Sequence, residues 1–296
     1  MKGCLTLMID FLKNFFILFI ELTALFIVIS FIVSLLQQIV SEEKIKSILQ
    51  KGNKTSGYIS GTSLGALTPF CSCSTIPILA GLFSSGAPFG PSISFLISSP
   101  LLNPVIVILL WKLLGVKLTV FYVVAMFLFA VLAGIVFHLL KLEKHLRNIK
   151  IRRSHSKAEN DTKWVVALKD AWNFFYPVLP YLVIGVLIGA IIHDFIPAEF
   201  ITSVAGNEHP FAIPIAAIIG IPMYIRLETM IPISEALVSK GMSMGAVIAL
   251  IIGGAGASLP EVLLLNKLFK PCLLVSFLFA ILFGAITTGY ILYFIY

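Results

Sequence analysis

Charge is what this chain has least of. Only 12% of its 296 residues are charged, about half the roughly 25% typical of a soluble domain, and several long runs carry no charge at all. That excludes a water-soluble globular fold, because no charged surface is available to cover a core. Cysteine is nearly as scarce. Four residues, Cys4, Cys71, Cys73 and Cys272, are too few and too scattered for a disulfide framework. With no second CxC and no nearby His cluster, a closed structural zinc site is excluded as well. No Walker motif is present, so an energising ATPase would have to be another chain. The net charge of +7 suggests nucleic acid, yet no basic patch is interleaved with stacking aromatics, and nucleic acid is set aside as a partner. The N-terminus, MKGCLTLMIDFLKN, leads into an apolar run from Phe15 to Leu36. That run exceeds a signal h-region and lacks a cleavage site, so it reads as a first membrane span rather than a leader.

What is present in abundance is apolar surface: 59% hydrophobic residues and a mean hydropathy of +1.04. These point to an all-α polytopic membrane protein, with the lipid bilayer as its solvent. The clearest spans are Phe15–Leu36, Leu118–Leu140, Ala171–Ile192 and Pro271–Phe294. Between them lie two apolar but Gly- and Pro-broken regions, 57–115 and 210–268. At a fixed offset of 155 residues, eight identities fall in the 26-residue window Gly65–Gly90, including Ile76/Ile231, Pro77/Pro232, Gly86/Gly241 and Gly90/Gly245. The chain therefore divides into a first repeat, 1–140, a basic cytoplasmic linker, 141–164, and a second repeat, 165–296. An internal duplication is a familiar transporter design.

The linker KLEKHLRNIKIRRSHSKAENDTK, Lys141–Lys163, holds eight Lys or Arg against three acids, as the positive-inside rule expects of a cytoplasmic loop. Four crossings per half make the repeats parallel and divide the basic residues 11 against 8. If residues 57–86 instead enter and leave by one face, each half makes three crossings and the repeats are inverted. The division is then 14 against 5. The larger asymmetry favours six spans plus two re-entrant hairpins, with eight spans and broken helices as the alternative. SEEKIKSILQ, from Ser41, reads as a capped amphipathic helix on the membrane surface. PAEFITSVAG at 197–206 occupies the matching place.

Chemistry concentrates in the breaks. In TPFCSCSTIP, 68–77, prolines bracket Cys71, Ser72, Cys73 and Ser74. Proline removes amide donors and breaks helices, and irregular backbone at membrane depth is tolerated only where it is buried or lines a cavity. This stretch is expected to be a hairpin tip or a broken-helix elbow. At the 155-residue offset Cys71 falls opposite Arg226 and Cys73 opposite Glu228, in GIPMYIRLETMIPIS. Charges at such depth are costly and read as functional by default, a structural ion pair being the blander account. Two further breaks are FLISSPLLNP, with Ser98, Ser99 and Asn103, and GGAGASLPE, with Ser258 and Glu261. The four breaks can meet at one midplane site, as in transporters with discontinuous helices. Glu21, Glu228 and Glu261 are the proton-coupling candidates, although Glu21 serves equally as a helix-packing hydrogen bonder. Two thiols one residue apart suit Cu(I), Zn(II) or trivalent arsenic as transported cargo. CxC alone is a weak signal, because free Cys often packs as a small hydrophobe.

At these residues the chain resembles the predicted permease family that includes the ArsP-type organoarsenical efflux permeases. The resemblance lies in ALTPFCSCSTIPILAGLFSSGAPFGPSISFLISSPLLNP, 66–104, and GASLPEVLLLNKLFK, 256–270. It implies a multi-pass inner-membrane permease, not an enzyme, without a cofactor, acting in efflux and arsenical resistance, with Cys71 and Cys73 contacting a trivalent arsenical. It names the transporter class more firmly than the cargo. Two other readings stay open. One is a permease for an organic or sulfur-containing anion held by Arg226. The other is a membrane thiol oxidoreductase, disfavoured because such enzymes usually use CxxC with a resolving pair. The sequence leaves room for a homo-oligomer.

Overall fold

Proline and glycine divide the apolar regions into short helices that reverse or bend at defined points. The computed structural model describes residues 54–67, 72–84, 86–147, 211–221 and 241–295, together with positions 20, 23, 24, 27, 172, 176, 179, 183, 237 and 238. Within them lie α1 (Lys54–Leu67), α2 (Ser72–Ser84), α3 (Phe89–Leu101), α4 (Pro104–Leu114), α5 (Val116–Leu139), α6 (Ala212–Gly220), α7 (Met244–Gly256), α8 (Leu259–Leu268) and α9 (Pro271–Ile295). Among the described residues there is no β-strand, and regular structure is helical. Apart from those isolated positions, the expected spans Phe15–Leu36 and Ala171–Ile192 lie outside the described residues, as do the surface helix at 41–50 and the segment 197–206.

α5 and α9 are long and apolar enough to cross a membrane, and the total is up to four if each bent pair, α3 with α4 and α7 with α8, counts as one span. The bends are 45° and 47°. Each has a local cause. Leu102 and Asn103 fall outside helix, and Pro104, which needs no amide partner, opens α4. Ser258 precedes α8, which carries Pro260 in its first turn.

Shape complementarity fixes helix direction. A Cβ on Gly61 would strike the Pro91 carbonyl, and one on Gly65 would strike Ser98, so α1 lies beside α3 and runs the same way. α2 runs the opposite way. Thr75 bonds Ser99, and the Phe83 and Phe89 rings stack with centroids 6.0 Å apart. The reversal is a Schellman motif: Ala87 N–H donates to the Leu82 carbonyl and Gly86 N–H to that of Phe83, with Gly86 at φ 78. α3 in turn runs against α5, with Gly90 beside Gly134 and His138 and with the Leu101 carbonyl accepting from Tyr122. Phe89–Leu101 is buried throughout, so α3 is a central helix.

The second half has the same plan. α6 lies along α7, with Gly220 against Leu250 and Gly253 against Ala217. α7 runs against α9, with Gly245 at Gly289 and Gly256 at Ile281. Gly241 (φ 94) closes a second Schellman motif, in which Met242 N–H donates to the Leu237 carbonyl. The halves meet where Leu101 lies against Gly256 and the Phe129 ring against Gly284. They meet again beyond α5, where Leu146 and Phe269 form an antiparallel bridge, Arg147 N–H donating to the Leu268 carbonyl and Lys270 N–H to that of His145. The end of α5 and the start of α9 therefore lie at the same end of the bundle. Outward stripes on α5 (Val120, Val124, Leu128, Leu132) and α9 (Val275, Phe279, Phe283) remain exposed, as lipid-facing surfaces do.

Candidate functional site

Half-way through the bundle, helix ends converge. α2 begins there and α3 ends there, held together by the buried Thr75 Oγ1 and Ser99 Oγ, 2.9 Å apart. α7 ends beside α3 through the Gly256–Leu101 contact, and α8 begins there and packs against α2. Short helices entering from both ends create this level. At about 1.5 Å per residue, α2 and α3 each span only about 20 Å.

The candidate residues divide as follows. Ser72, Cys73 and Ser74 form the first turn of α2. Ser98 and Ser99 lie in the last turns of α3, both fully buried, and Ser98 Oγ donates to the Phe95 carbonyl at 3.2 Å. Asn103 sits at the break, its carbonyl accepting from Val107 N–H at 3.1 Å. Ser258 is buried at the head of α8, and Glu261, in the first turn, is fully buried. The structure thus brings Cys73, Ser98, Ser99 and Ser258, and the helix turn bearing Glu261, to one level. Cys71, Arg226, Glu228 and Glu21 lie outside the described residues.

Two expectations need correction. Irregular backbone between Pro69 and Pro77 does not extend past Ser72, because helix has begun there and runs through Pro77. Pro77, the sixth residue of α2, costs the bond its amide would make to the Cys73 carbonyl, and the helix continues past it. Likewise FLISSPLLNP is helical through Pro100, and the break falls at Leu102–Asn103. Ser98 and Ser99 are therefore helix-borne hydroxyls rather than loop residues.

Sequence reasoning missed four hydroxyls. Thr75 lies inside TPFCSCSTIP, and nothing in the motif sets its hydroxyl apart from those of the neighbouring serines. Tyr122, fully buried, donates from its hydroxyl to the Leu101 carbonyl at 2.8 Å and satisfies a helix-end acceptor at the bend. Thr62 and Ser94 are fully buried hydroxyls with no hydrogen bond among the described residues. Tyr within an apolar span was the one available signal, since a buried phenol needs an acceptor. Helix N-termini of α2, α4 and α8 lie at this level, so the positive ends of their dipoles face it. Among the described residues no three His, Cys, Asp or Glu side chains gather as metal ligands.

Comparison with known proteins places this geometry in context. Residues 8–294 match the family ArsP_1, described as a predicted permease. The UPF0718 protein MJ0584 of Methanocaldococcus jannaschii is 25% identical, over 81% of this chain and 83% of its own. The UPF0718 protein YcgR of Bacillus subtilis is 25% identical over 83% and 84%. A Streptococcus mutans protein, 22% identical over 76% of both chains, carries a name that makes it a subunit of a two-component membrane permease complex. No solved structure matches the chain.

Proposed function

The chain belongs to the predicted permease family ArsP_1, and from that premise we propose that it is a secondary permease of the cell (inner) membrane that effluxes a small thiophilic solute, such as a trivalent organoarsenical or a soft metal ion. In this reading Cys71 and Cys73 contact the solute, and Ser72, Ser74, Ser98, Ser99, Asn103 and Ser258 line its path. Arg226 and Glu228 shape and charge the site, and Glu261, Glu228 or Glu21 exchanges the coupling proton. The observation that carries the reading is the Thr75–Ser99 bond of 2.9 Å. It ties the turn of α2 that bears Cys73 to the end of α3, and α8, which carries the buried Glu261, packs against α2. Soft thiolates, neutral hydroxyls and one buried carboxylate are a donor set that binds a thiophilic species and still releases it.

The two halves, 1–140 and 165–296, are read as inverted repeats joined by the basic linker, giving six spans and two re-entrant hairpins. Four observations support this. α3 (Phe89–Leu101) and α7 (Met244–Gly256) have limits 155 residues apart. Leu101 and Phe129 each contact the residue at that same offset, Gly256 and Gly284, as residues beside a two-fold axis do. α5 ends where α9 begins, so the corresponding long helices run in opposite directions. α1 and α2 run in opposite directions, with the start of α1 and the end of α2 both beside the start of α3. A second subunit is proposed as partner, on the Streptococcus relative's name, with self-association as the alternative.

The test is accumulation of trivalent methylarsenical, against Zn(II) and Cu(I), in everted vesicles containing wild type or the Cys71→Ser, Cys73→Ser variant. Cysteine-dependent uptake of one cargo is expected. The converging helix N-termini favour a second reading, an organic or sulfur-containing anion bound mainly by Arg226. Equal transport by both proteins, with loss in Arg226→Ala, would select it and reject the thiophilic site.

A further inference from the structure

Beneath the end of α2, on the side where the basic linker leaves α5, lies a cavity of about 730 Å³. Its walls come from both halves: Phe83 and Ser84 from α2, Glu143, Lys144, Leu146 and Arg147 from the turn after α5, and Lys270 from the start of α9. Three cations face one carboxylate. Their existing bonds leave donors over. Lys270 Nζ donates to the Lys144 carbonyl at 3.3 Å, and one Arg147 amine donates to Asn266 Oδ1 at 3.4 Å. Among the described residues none of the three is ion-paired. All three residues are exposed. The volume is that of a small-molecule site and far exceeds a simple ion.

We propose that this cavity binds a phosphate-bearing anion, with the Arg147 guanidinium gripping two oxygens and Lys144 and Lys270 completing the charge. A planar guanidinium fork matches phosphate geometry, and basic pockets between helices at a cytoplasmic face suit anionic headgroups. Phe83 and Leu146 supply an apolar edge along which an acyl glycerol could leave. Because the walls span the Leu146–Phe269 junction, an occupant would clamp the two halves together.

The experiment measures binding to the purified full-length chain by native mass spectrometry and thermal shift. The probes are dioleoyl phosphatidylglycerol, dioleoyl phosphatidylcholine, glycerol 1-phosphate and inorganic phosphate. Phosphatidylglycerol is expected to bind in preference to phosphatidylcholine. Its affinity should fall about tenfold in Lys144→Gln and more in Arg147→Gln with Lys270→Gln, and stay unchanged in Lys117→Gln, at the other end of α5. Binding of the two soluble phosphates with the same dependence on these residues supports the site with a soluble source. Circular dichroism separates lost binding from misfolding. Equal affinity in wild type and variants, parity of the two lipids without phosphate binding, or no binding by any probe would overturn the proposal.

Discussion

Tyr122 carries a clear energetic consequence at the level of single residues. The last carbonyls of a helix have no intrahelical partner, and at the end of α3 Leu101 and Leu102 are buried. The phenol supplies the missing donor to Leu101 from a fully buried position. Tyr122→Phe keeps the ring and removes the donor, leaving a buried acceptor at the bend. A loss of roughly 1–3 kcal/mol is expected, read as a lower Tm of the purified protein. Tyr293→Phe, at an exposed ring, should stay within about 0.5 kcal/mol. Identical melting of the two variants would remove Tyr122 from the account of the bend.

Between elements, contact is made backbone to backbone. α3 and α5 approach at Gly90 and Gly134, and α7 and α9 at Gly245 and Gly289, the small-residue packing that bilayers favour because lipid offers no hydrophobic drive between helices. Gly134→Leu would press on Ser94 and the Gly90 carbonyl, and a destabilisation of about 1–3 kcal/mol is expected in thermal denaturation. Leu132→Ala, on the exposed stripe of α5, should cost far less; the reverse order would refute the close approach. These elements were unevenly legible. The expected Leu118–Leu140 and Pro271–Phe294 agree with Val116–Leu139 and Pro271–Ile295 to within a few residues, because lipid permits little but long apolar helix there. Within the broken regions the signal fails. α3 and α7 are buried on nearly every side, so no amphipathic period marks them, and whether Pro77 or Pro100 breaks a helix depends on neighbours the sequence does not name. The Thr75–Ser99 bond and the basic cavity join residues far apart in sequence, and only packing reveals them.

At the scale of the whole molecule, direction in the membrane decides between the architectures. Inverted halves require α5 and α9 to cross in opposite senses, whereas parallel halves would carry Lys117 and Lys270, each at the head of its long helix, to the same side. The hydrogen bonds between 145–147 and 268–270 join the tail of α5 to the head of α9, and Ser84 lines the same cavity as Lys270. Single cysteines in a background with all four native cysteines replaced by Ser can report the sides directly. Ser84→Cys, Lys144→Cys and Lys270→Cys should react with an impermeant maleimide from the cytoplasmic face only, since the excess of Lys and Arg belongs there. Lys117→Cys and Phe294→Cys, both exposed, should react from the opposite face only. Labelling of Lys117→Cys and Lys270→Cys from one side would make the halves parallel. Labelling of Ser84→Cys from the side of Lys117→Cys would turn α1 and α2 from a re-entrant hairpin into part of a crossing.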